Sequence, residues 1–71
     1  MSDLKPRIQQ GLSALNSGDA KTAARIFRQV LPKSPRDSEL LHLTAMALIQ
    51  SDKKVAGRKY LNKSLELSPD N

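Results

Sequence analysis

The 71-residue chain contains no cysteine and no tryptophan. The first absence excludes a disulfide framework and thiolate metal sites, and it fits a reducing compartment. Phe27 and Tyr60 are the whole aromatic inventory. Apolar contact must therefore come from Leu, Ile, Val, Ala and Met, and the row of rings on which single-stranded nucleic acid stacks is missing. No apolar run approaches the roughly 18 residues of a membrane span. The opening MSDLKPRIQQ lacks the apolar core of a secretory signal, so the expected location is the cytoplasm. No stretch shows the strict alternation of a half-buried strand.

What is present is a basic, helix-forming sequence. The net charge is +5 and the pI about 10.0. Such a balance suits nucleic acid, an anionic surface or acidic partners. A chain this short forms one domain, and it buries only about 60% of the surface its unfolded state exposes.

Prolines and glycines divide the chain into four segments. Leu4, Ile8, Gly11, Leu12 and Leu15 make one helical stripe between about Leu4 and Asn16, with Pro6 in the first turn where its missing N–H costs nothing. Ser17-Gly18 breaks that helix. Asp19 then caps a second, from about Ala20 to Leu31, whose apolar face is Ala20, Ala23, Ala24, Phe27, Val30 and Leu31. Asp37 caps a third, Ser38 to Gln50, which is apolar almost all round and should be buried on several sides. The fourth runs from about Lys53 to Leu67 after the turn Ser51-Asp52. It carries one face of Gly57, Leu61, Ser64 and Leu65, and a second of Ala56, Tyr60 and Leu67.

Segments one and two align with three and four at a shift of 34. Gly11 pairs with Ala45, Ala14 with Leu48, Ala23 with Gly57, Phe27 with Leu61, Leu31 with Leu65, and Pro35 with Pro69. A helical hairpin repeated every 34 residues, with these small, large and proline positions in register, resembles the tetratricopeptide repeat. Arg7 and Leu41 replace the aromatic common early in the family's first helix, and Val30 and Ser64 replace an alanine late in its second. The resemblance implies an all-α fold of two stacked antiparallel helix-turn-helix hairpins. Repeat 1 would cover about 4–37 and repeat 2 about 38–71, without a C-terminal capping helix. Since such solenoids usually need more units and a polar cap, the chain is expected to be an N-terminal piece of a longer protein.

The family grips partner segments in a concave groove lined by the first helix of each unit. Carried over by position, that groove would be Lys5, Ile8, Leu12, Leu15 and Asn16 from unit one. Unit two would add Glu39, His42, Leu43, Met46, Ile49 and Gln50. Its aliphatic lining suits an amphipathic helix. The lysine and asparagine with which some members clamp a carboxylate are replaced by Ile8 and Leu12, so chaperone-tail binding is not expected. Ala56, Tyr60 and Leu67 are expected to face the place of a third unit, and thus to drive homo-oligomerisation of the isolated chain.

His42 has only Glu39 one turn away, short of a metal site, and no nucleophile, base and stabiliser converge. The segment is therefore expected to be neither an enzyme nor a cofactor binder. It reads as a protein-interaction scaffold or adaptor. The alternatives are an accessory repeat region of a larger enzyme of transferase or hydroxylase type, used for docking or dimerisation, and a basic module for anionic partners built on Lys53, Lys54, Arg58, Lys59 and Lys63. Those cations read first as a solvated face, and nucleic acid is the less expected partner.

Overall fold

The computed structural model describes residues 4–68. It contains four α-helices, α1 Leu4–Asn16, α2 Ala20–Val30, α3 Ser38–Gln50 and α4 Lys54–Leu67, with a 3-10 turn at Leu31–Lys33 after α2. Among the described residues there is no strand, and no helix is long and apolar enough to cross a membrane. The fold is all-α, two antiparallel hairpins, α1–α2 and α3–α4, joined by the packing of α2 on α3. Two ends differ from expectation. Leu31 leaves α2 because Pro32 has no N–H to continue the ladder. Lys53 stands outside α4 as its N-cap. Pro69, the expected close of the second unit, lies outside the described residues.

The helix starts follow cap chemistry. The Asp37 carboxylate accepts from the Glu39 and Leu40 amides at 3.1 and 3.2 Å, and Asp19 accepts from the Thr22 amide at 3.2 Å. Each bond satisfies a donor that the first helical turn leaves orphaned.

The 34-residue period recurs in the hydrogen bonds of the two hairpin turns. The Ser17, Gly18 and Asp19 amides donate to the Ser13, Leu15 and Ala14 carbonyls at 3.1, 3.1 and 2.8 Å. The Ser51, Asp52 and Lys53 amides donate to Ala47, Ile49 and Leu48 at 3.0, 3.1 and 2.8 Å. The hydroxyls of Ser17 and Ser51 donate to the Ala14 and Leu48 carbonyls, both at 3.0 Å. Even the residues that close the units match, Ser34 at φ −143°, ψ 60° and Ser68 at φ −146°, ψ 71°.

The core lies between α2 and α3, with apolar residues of α1 and α4 packed against it from either side. Phe27, Leu40, Leu41 and Leu48 are its largest fully buried side chains, with Ala23, Ala45 and Ala47 between them. Burying a side chain such as Phe27 is worth about 1.5–3 kcal/mol. Small residues set how closely the helices approach. A β-carbon on Gly11 would stand 2.5 Å from the Phe27 ring. One on Gly57 would stand 2.6 Å from Ile49 Cγ1 and 3.0 Å from the Ala45 carbonyl oxygen. The buried hydroxyls are paired: Thr44 donates to the Leu40 carbonyl and Ser64, on α4, to the Ser38 carbonyl at the start of α3, both at 2.8 Å. Ser64 thus ties the open ends of the second hairpin together.

Candidate functional site

Where the helices leave surface uncovered follows from this packing. α3 is flanked by α2 on one side and α4 on the other, so its buried positions are Leu40, Leu41, Thr44, Ala45, Ala47 and Leu48. Its remaining side, Glu39, His42, Met46, Ile49 and Gln50, is exposed. Met46 and Ile49 are 39% and 37% accessible. Of the unit-one residues expected to line a concave groove, Ile8, Leu12 and Leu15 are partly buried against the core, as is Leu43 of α3. Lys5 and Asn16 are exposed. The expected groove therefore divides. Its unit-one apolar residues serve largely as packing, and part of its unit-two set turns toward α4.

Glu39 and His42 share a surface depression with Ser38 of α3 and with Leu61, Ser64, Leu65 and Ser68 of α4. Ile49 lines a second with Lys54, Val55 and Arg58. Together these form an outer flank on the side of hairpin 2 away from hairpin 1. Leu65 is 45% accessible and Leu61 half-buried. The flank is apolar in its middle and charged at its ends, Glu39 at one and Lys54 and Arg58 at the other.

The residues expected on this flank are elsewhere. Ala56, Tyr60 and Leu67 are partly buried and pack against the core, and Tyr60 lies near Leu31, Pro35 and Leu41. This corrects the sequence expectation. Gly57 and Ser64 are the buried positions of α4 and define the direction of α3. Tyr60 and Leu67 lie to one side of that direction, toward hairpin 1, and Leu61 and Leu65 to the other. The repeat alignment held the signal, since Leu61 and Leu65 stand where Phe27 and Leu31 stand in unit one.

A second surface was not legible from α4 alone. α2 forms one wall of a trough, faced in its first part by Leu48, Ser51 and Lys53 at the end of α3 and the turn after it, and in its second part by Tyr60 and Lys63 of α4. Lys21, Arg25, Arg28 and Gln29 of α2 line its first part with Ala24, Leu48, Ser51 and Lys53. Arg28 continues into a second part with Leu31, Pro32, Pro35, Leu41, Tyr60 and Lys63. No carboxylate lines either part. Gln29 also accepts a hydrogen bond from Arg7 across hairpin 1. Among the described residues, no three acidic, histidine or cysteine side chains gather as a metal site would require.

The chain matches no family model, no curated protein and no solved structure.

Proposed function

We propose that this chain is a protein-interaction module whose docking face is the outer flank of α3 and α4, and that in isolation a second copy occupies that face. One observation carries the reading. Phe27 and Leu31 of the first hairpin are buried, and their 34-residue counterparts Leu61 and Leu65 are not. A face that buries a helix in one hairpin stands uncovered, among the described residues, in the next. Its Met46, Ile49 and Leu65 are exposed, and large apolar side chains left on an uncovered face support reading it as an interaction site. The turn hydrogen bonds repeated at 34 residues support reading the hairpins as two tetratricopeptide-like units, and in such repeats this face stacks on a neighbour.

Head-to-tail stacking of copies lacks a matching surface. The buried α3 positions Leu40, Leu41, Thr44 and Ala47 correspond to Pro6, Arg7, Gln10 and Ser13 in α1, all exposed and mostly polar. Flank-to-flank pairing about a two-fold axis has no such defect. It joins apolar centre to apolar centre and brings Glu39 of each copy toward Lys54 and Arg58 of the other, an isologous arrangement.

Light scattering after size exclusion, across a range of concentrations, tests this. The expected result is a dimer that dissociates on dilution and is lost in Leu65→Glu, with helical circular dichroism unchanged. A folded monomer at every concentration would remove the second copy as occupant.

A further inference from the structure

The trough along α2 lies on a different side of the fold from the apolar flank, and the reading above does not use it. The geometry points to a docking site there for an acidic, amphipathic segment of a partner protein, its carboxylates held by the cationic walls and its apolar side chains on the floor.

Three observations carry this. The first is sign. Lys21, Arg25 and Arg28 of α2, Lys53 at the turn before α4 and Lys63 of α4 line two adjoining depressions that share Arg28 and are lined by no carboxylate. The nearby Asp19 carboxylate accepts hydrogen bonds from Thr22 as the N-cap of α2 and also attracts Arg25, which leaves Lys21, Arg28, Lys53 and Lys63 without a carboxylate in the trough lining. Converging like charges cost free energy unless an anion neutralises them. The second is spacing. Lys21, Arg25 and Arg28 recur at four and three positions along α2, so they project from one face and cover about 10 Å of its length at 1.5 Å per residue. That is the stride of glutamates on one face of a partner helix. The third is the floor. Ala24 and Leu48 lie under the first part, and Leu31, Leu41 and the half-buried Tyr60 under the second. An apolar base between cationic walls complements a segment whose leucines and carboxylates occupy different faces.

The same features weigh against other anions. A nucleic acid strand needs open aromatic faces on which its bases stack. The only ring here is Tyr60, half-buried, since Phe27 is fully enclosed. A bilayer is planar and meets a protruding surface, whereas these cations line a depression.

The test uses the whole chain and a fluorescently labelled, helix-forming peptide rich in glutamate and leucine. Fluorescence anisotropy should show saturable binding that weakens as salt rises. Replacing Arg28 and Lys63 together with alanine should weaken it about tenfold, as expected for rim charges that contact carboxylates directly. Both are exposed helix or near-helix positions where alanine is well tolerated, and circular dichroism checks the fold. A peptide of the same charge without leucine should bind more weakly. The flank variant Leu65→Glu should bind the peptide as the parent chain does, so failure of flank pairing leaves this result standing. No binding, binding indifferent to Arg28 and Lys63, or binding lost in Leu65→Glu would each overturn the proposal. So would tighter capture of a single-stranded oligonucleotide or of anionic vesicles through the same two cations.

Discussion

Gly18 and Asp52, 34 positions apart, hold the same left-handed backbone, φ +88° and +69°. Each is the pivot of a hairpin turn with the same three amide hydrogen bonds. Glycine enters this region without steric cost, while an aspartate there is strained. Relief of the β-carbon, worth about 1–2 kcal/mol, outweighs the freedom that glycine adds to the unfolded chain, about 0.4–1 kcal/mol, so Asp52→Gly should raise stability by up to about 1 kcal/mol, and Gly18→Ala should lower it. Urea midpoints at constant slope would show both. A lower midpoint for Asp52→Gly would mean that the aspartate side chain stabilises the turn in some other way.

Lys53 and Asp19 share a second equivalence. Their backbones agree within about 15°, φ −113°, ψ 65° against φ −98°, ψ 69°, but only the aspartate caps its helix. Lys53→Asp should supply the missing acceptor at the start of α4 and raise stability by about 1 kcal/mol. The thermal midpoint should rise, and more at low salt, because the new charge also favours the helix dipole.

The pH dependence at Asp19 has a definite sign. Side-chain and backbone hydrogen bonds from Thr22 hold its carboxyl below the ordinary aspartate value of 3.8, with Arg25 adding to the effect. A depressed folded-state pKa contributes stability that is present above the unfolded value and lost as the pH falls through the folded one. Acid titration of stability should thus show a loss below about pH 4 that is reduced in Asp19→Asn. An identical acid limb in both proteins would show that the cap is electrostatically idle.

Alanine at Gly57 should destabilise despite its better helix propensity. The propensity gain is about 1 kcal/mol. Against it, the new methyl would meet Ile49 Cγ1, the Ala45 carbonyl oxygen and the Ile49 amide nitrogen within 2.6, 3.0 and 3.2 Å. Two of these are backbone atoms and move only with the helix. A net loss of about 1–2 kcal/mol is expected, read from chemical denaturation.

Gly11 and Phe27 form a size pair, and the positions 34 residues on carry Ala45 and Leu61. Gly11→Ala alone should drive the new methyl into the ring. Phe27→Leu alone should leave space beside a glycine. The double variant, which copies the second unit's pair, should be more stable than the sum of the two losses predicts, by about 0.5–2 kcal/mol. Strict additivity would show that the two positions do not share their packing.

Much of this fold was legible in the chain. The caps Asp19 and Asp37, the breaks at Gly18 and Pro32 and the apolar periodicity placed all four helices to within a residue or so, because local chemistry determines those features. The orientation of α4 was not legible in the same way. Its two apolar stripes, one with Leu61 and Leu65 and one with Tyr60 and Leu67, compete for the interior, and hydrophobicity does not distinguish them. Gly57 and Ser64 decide the matter through close approach and a hydrogen bond to Ser38, which are tertiary facts. The trough escaped notice for a related reason. Its cations lie on α2, on α4 and on the turn before α4, far apart in the sequence, and a linear reading takes the charges of each segment as solvated on their own.

The two ends of the stack are chemically unlike. Pro6, Arg7, Gln10 and Ser13 stand at one end and Met46, Ile49 and Leu65 at the other. A fibre grows only if each subunit offers a head that fits the next subunit's tail, so that every addition recreates the site it used. In this molecule a tail that finds another tail leaves no such site behind. If the flank pairs as proposed above, contacts through Leu61 and Leu65 would consume their own growing end, and raising the concentration would fill closed pairs without lengthening a chain.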